Sequence, residues 1–74
     1  MDRERIQMIK ETYPKGTRLI CTGMSDPFAP IDYGTKGTVV YVDDIGTIHM
    51  QWDNGRTLGL IYGEDSFRKI KEDK

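Results

Sequence analysis

One cysteine and one histidine among 74 residues leave little material for metal or redox chemistry. A single thiol, Cys21, can form neither an internal disulfide nor a multi-cysteine metal site. In so small a domain the lack of disulfides points to a reducing compartment, and a cytoplasmic location is expected. No stretch approaches the roughly 20 apolar residues of a membrane span. The first ten residues mix charged and apolar side chains, without the apolar run of a secretory leader, so no membrane partner is expected. An excess of charge is missing too: 11 basic residues stand against 12 acidic ones, a net charge of −1. Binding along a nucleic-acid backbone draws on a surplus of Lys and Arg that this chain does not have. Its length allows one domain, and a domain of this size buries only about 60% of its unfolded surface. A deep, dry active site needs more chain than that, whereas a binding surface does not.

What is present has a clear order. Residues 2–12 read as a helix capped by Asp2, with Ile6, Ile9 and Tyr13 on one apolar stripe and Pro14 ending it. From Lys15 the apolar period shortens to that of strands. Thr17 to Thr22 is a first candidate, and Gly37 to Asp43, rich in β-branched and aromatic residues, a second. Thr47 to Trp52 alternates, with Ile48, Met50 and Trp52 on one side and His49 and Gln51 on the other. Thr57 to Ile61, with Leu58 and Leu60 facing together, and Phe67 to Ile70 complete the set. The Asn54-Gly55 pair favours a type I′ hairpin turn, and residues 43–46 make a similarly tight link. Residues 23–36, with Asp26-Pro27 and Ala29-Pro30, form a long loop, and residues 62–66 read as one helical turn. A long loop, two tight hairpins, a helical turn and a short last strand follow the loop order of an SH3-like barrel. The expected fold is therefore mainly β: a small five-stranded SH3-like barrel over residues 15–74, preceded by a short N-terminal helix over residues 1–14.

The residues capable of chemistry mostly have structural uses. Cys21 and His49 could pair as nucleophile and base. Both lie in strands, however, with no helix N-terminus to activate the thiol. Asp43, Asp44, Asp53, Glu64 and Asp65 lack the spacing of a calcium loop, and Asp43, Asp44 and Asp53 fall in turns, where such carboxylates bond the local backbone. Gly34, Gly37 and Gly46 do not precede a helix, so they form no phosphate loop. No catalysis, metal or cofactor is expected. Trp52 shares the inward parity of Ile48 and Met50. Phe28, Tyr33 and Tyr62 fall in loops that lie close together in such a barrel, with Tyr41 at the edge of a shallow groove between them. Arg18, Lys36, Arg56, Arg68, Lys69 and Lys71 are candidates for a basic rim.

Several segments in register also resemble a known family. They are residues 13–18 (YPKGTR), 24–30 (MSDPFAP), 34–39 (GTKGTV), 43–46 (DDIG), 52–55 (WDNG) and 65–67 (DSF). The family is one of short bacterial proteins known only as a domain of unknown function (four-three-one-four), many of them carried by phages and conjugative elements. The resemblance covers nearly the whole stretch from Tyr13 to Phe67. It implies no established activity, but a mobile-element setting in which small proteins regulate DNA transactions or block host defences.

The leading expectation is a non-catalytic binding module that recognises a protein partner through a loop-aromatic groove, using Phe28, Tyr33, Tyr41, Tyr62, Lys36 and Arg56. A second is an anti-defence protein: a nuclease inhibitor such as an anti-CRISPR, or an oligomeric sponge for a nucleotide immune signal. A third is a nucleic-acid-binding barrel whose loop aromatics stack bases. The oligomeric state is left open by the sequence.

Overall fold

The computed structural model describes residues 2–71. The sequence-derived bounds 1–14 and 15–74 reach beyond these at Met1 and residues 72–74, which lie outside the described residues. Asp2 caps α1 (Arg3–Thr12): its carboxylate accepts from the Arg5 N–H at 2.8 Å, satisfying a first-turn donor. Tyr13 ends the helix with its N–H on the Ile9 carbonyl, directly before Pro14. Of the apolar stripe, Ile9 is fully buried in the core, while Ile6 and Tyr13 are half-buried. A ten-residue helix is marginal alone, so this docking holds it in place.

Five strands follow: β1 (Arg18–Gly23), β2 (Lys36–Val42), β3 (Thr47–Trp52), β4 (Leu60–Ile61) and β5 (Ser66–Lys69). They form one sheet in the order β4-β3-β2-β1-β5, every neighbour antiparallel. The first strand pairs with both the second and the last, which is the strand order of an SH3-like barrel. Inward positions alternate as strand geometry requires: Leu19 and Cys21 on β1, and Ile48, Met50 and Trp52 on β3, are buried. On β2 a bulge interrupts the alternation. Val39 opposes Met50 and Tyr41 opposes His49, so the extra residue is Val40, and Val40 and Tyr41 are both exposed.

The two hairpins share one build, which differs from the type I′ turn expected at Asn54-Gly55. A type I′ turn needs positive φ at both central residues, and here only Gly55 has it, at 91°. Gly55 donates to the Trp52 carbonyl at 2.9 Å and Trp52 donates to that of Arg56 at 2.8 Å, enclosing a three-residue loop. At the other hairpin Gly46, φ 89°, donates to Asp43 at 3.0 Å, and Asp43 to Thr47 at 3.0 Å. The next strand also departs from expectation. It was read over residues 57–61 but pairs only at Leu60 and Ile61, because the Leu58 carbonyl turns inward to accept the Trp52 indole N–H at 2.7 Å. The turn expected over residues 62–66 forms, with the Glu64 and Asp65 N–H groups both on the Ile61 carbonyl at 3.1 and 2.9 Å. Gly63 at φ 95° departs from helical geometry, however, Tyr62 and Asp65 bridge each other, and β5 begins at Ser66.

Two acid–base side-chain pairs brace the hairpins. The Arg18 guanidinium donates to both Asp53 oxygens, at 2.8 and 2.7 Å, and holds that carboxyl below the usual carboxylate range, with the Lys36 charge adding to the effect. At the other turn the His49 imidazole, 2.8 Å from Asp43, lowers the Asp43 carboxyl; burial opposes this, and the Thr47 and Ile45 N–H groups lower it further. A carboxyl with a depressed folded pKa contributes stability that is present above its unfolded value, near pH 4, and lost as pH falls through the lower folded value. Thermal melts between about pH 2 and 6 should therefore show a shallower acid loss in Asp53→Asn and Asp43→Asn than in the parent. Identical acid limbs in all three proteins would contradict these pairings. Leu60 is fully buried on β4, so Leu60→Ala should cost roughly 2–5 kcal/mol in chemical denaturation. A cost below about 0.5 kcal/mol, typical of surface sites, would contradict this packing.

Candidate functional site

The segment between β1 and β2, residues 24–35, is the longest connection in the chain and carries its two most exposed aromatic residues. It is nevertheless tightly fastened. Ile31 inserts into the core at 2% exposure. The Cys21 N–H reaches the Thr35 carbonyl at 2.8 Å, and the Gly34 N–H the Cys21 carbonyl at 2.7 Å. Asp65 accepts from both the N–H and the hydroxyl of Ser25, at 2.9 and 3.0 Å, and its second oxygen from the Ile61 N–H at 2.7 Å. Arg56 spreads its guanidinium over the loop backbone, donating to the Pro30 carbonyl at 3.0 Å and the Ala29 carbonyl at 2.6 Å. Within the loop Asp26 accepts from the Phe28 and Ala29 N–H groups at 2.8 and 3.3 Å, a local carboxylate cap. The result presents Phe28 at 94% and Tyr33 at 79% exposure on a held backbone.

The six residues singled out from the sequence do not form one groove. Phe28 and Tyr33 lie on the loop, and Arg56 lies beneath it, used to hold the loop's carbonyls. Lys36 starts β2, next to the Arg18–Asp53 pair. Tyr41 is on the outer face beside the bulge, stacked on the His49 ring with centroids 4.4 Å apart and planes 4° from parallel. Tyr62 belongs to a third place, an aromatic cluster in which Tyr13 meets Phe67 at 5.4 Å and Tyr62 at 6.4 Å. Burial raises the Tyr13 phenol pKa, and the neighbouring Tyr62 raises it further. Of the proposed basic rim, Arg18 is paired with Asp53 and Lys69 lies over the Tyr13 ring at 5.6 Å.

Cys21 and His49 do not form a catalytic pair. Cys21 faces the core, its thiol 3.6 Å from the Ile31 carbonyl, whereas His49 faces outward against Asp43 and Tyr41. Among the described residues no group of three or more His, Cys, Asp or Glu side chains could hold a metal ion, and no helix is long and apolar enough to cross a membrane. At the foot of the loop is a feature that sequence reading missed: an open cleft of about 340 Å³ whose lining includes the apolar Met24, Leu58 and Ile61 and the acids Asp26 and Asp65. Asp26 and Asp65 are far apart in the chain, and only the Ser25–Asp65 bonds reveal that they share a site.

Comparison with known proteins gives a family and no activity. No curated protein and no solved structure matches the chain. The family model described as a domain of unknown function (DUF4314) matches residues 2–70, the family the sequence motifs resemble. Because that match takes in almost the entire sequence, the chain belongs to the DUF4314 family.

Proposed function

We propose that the protein is a non-catalytic binding module that grips a protein partner through residues 24–35, with Phe28 and Tyr33 as the anchors. The observation that carries this reading is Phe28, 94% exposed on a loop fastened by Ile31, Arg56 and Asp65. A large aromatic left in water forgoes about 1.5–3 kcal/mol of burial, which an interface recovers. The backbone is already ordered, so a partner meeting it faces a smaller entropic cost. Aromatic side chains on such surfaces supply much of the energy of known interfaces. A phosphate-gripping rim receives less support, since Arg18 and Arg56 are committed to bonds within the molecule.

The test begins with affinity capture from the native host to obtain the partner, followed by dissociation constants for purified variants. Phe28→Ala and Tyr33→Ala should each weaken binding by about fivefold or more, the size of a hot-spot truncation. Their melting temperatures should stay within about 2 °C of the parent, as for exposed positions. Binding unchanged in both variants would remove the loop as the recognition element. A steep fall of log K with log[salt] would instead mark a nucleic-acid ligand.

A further inference from the structure

The cleft at the foot of the loop has two halves of different chemistry. Its walls are aliphatic and thioether groups: Met24 and Leu58, half-buried against the core, and Ile61, 38% exposed. Its lining also includes Asp26 and Asp65 and no basic residue. The carboxylates are satisfied by neutral donors: Ser25 and Ile61 for Asp65, and the Phe28 and Ala29 N–H groups for Asp26. Both Asp26 bonds go to Oδ1, leaving Oδ2 without a donor among the described residues. Neither acid has a cationic partner there, although Asp43, Asp44 and Asp53 each have a basic partner.

Two acids in the lining of an apolar cleft that holds no basic residue suit one kind of side chain. Lysine and arginine carry a charged head on an aliphatic stem, and they lay that stem along apolar surface while the head meets its counter-charge. A purely aliphatic side chain would leave the acids uncompensated, and an acidic one would be repelled. We infer that this cleft receives a lysine or arginine of the protein partner, its stem against Met24, Leu58 and Ile61 and its charge between Asp26 and Asp65. The inference rests on the reading of residues 24–35 as the recognition face and adds the chemistry of what is recognised. Phe28 stands two residues from Asp26, so the fitting partner segment carries a cation beside an apolar contact.

The test uses small probes on the full, isotope-labelled chain and needs no partner. n-Butylguanidinium, n-pentanol and pentanoate are titrated while backbone amide resonances are followed. n-Butylguanidinium should shift the Met24, Ser25, Leu58, Gly59 and Ile61 amides saturably, n-pentanol more weakly and pentanoate not at all. Added salt should weaken the n-butylguanidinium response and leave that of n-pentanol unchanged. Asp26→Asn keeps the Oδ1 acceptor that caps the loop and removes only the charge. It should weaken n-butylguanidinium binding by roughly two- to fivefold, the range of a partly exposed ion pair. Equal responses to all three probes, no response to n-butylguanidinium, or an Asp26→Asn affinity equal to the parent's would overturn the assignment. Failure here with Phe28→Ala still weakening partner binding removes only the cleft. Success here with Phe28→Ala silent removes only the aromatic anchor.

Discussion

Trp52 is the side chain on which the other parts depend. It is the largest buried residue, and it packs directly over Gly37 on the paired strand. A Cβ added at Gly37 would stand 2.6 Å from the indole and 3.1 Å from the backbone of Gln51 and Trp52. Only glycine lets β2 and β3 approach with that ring between them and the core. The indole N–H cannot stay unpaired at 1% exposure, and it takes the Leu58 carbonyl. That single bond draws residues 57–59 away from regular pairing with β3. The cleft walled by Leu58 lies along the segment that leaves the ladder. Directly after Trp52, Asp53 turns to Arg18 and Arg56 turns to the long loop. The core and the hairpin thus meet at one aromatic residue, whose backbone N–H donates to the Arg56 carbonyl at 2.8 Å.

The strands were legible in the sequence wherever one local rule decided them. Ile48, Met50 and Trp52 alternate without interruption, and β3 runs over the residues the pattern indicates. Asp2 and Pro14 bound α1 for reasons contained in a few residues. The bulge at Val40 was not legible, because Val39, Val40, Tyr41 and Val42 read as continuous strand whether or not an extra residue is inserted. The hairpin type failed for a related reason. Asn54-Gly55 is compatible with a type I′ turn, but here the Asn54 side chain accepts from the Arg56 N–H and only Gly55 takes positive φ. β4 was overestimated because the fate of the Leu58 carbonyl depends on an indole six residues away that folds back across the hairpin.

The candidate site was legible only in part. Proline and aromatic content marked residues 24–35 as a surface loop, and Phe28 and Tyr33 are exposed there. The sequence also drew Tyr62 and Arg56 into one groove with them, and the structure uses both differently. Tyr62 completes an aromatic cluster under the helix end, and Arg56 holds backbone carbonyls. The bonds that make the loop a fixed platform join Ser25 to Asp65 and Ala29 to Arg56, residues 40 and 27 positions apart. No local pattern encodes such pairings. Asp65, which the sequence offers only as a member of an acid set without calcium-loop spacing, is a staple between the loop and the β4–β5 turn.

The loop is ordered before any partner arrives, and backbone order parameters across residues 24–35 measure that order. Values near 0.85 are expected for the Ser25, Phe28, Ala29 and Ile31 amides, as in rigid backbone. A fall below about 0.6 is expected at Phe28 and Ala29 in Arg56→Ala, where the clamp on the Ala29 and Pro30 carbonyls is removed. Values already below about 0.6 in the parent protein would contradict this order. The aromatic residues would then ride on a mobile segment, and neither they nor the cleft beneath them would be a preformed surface.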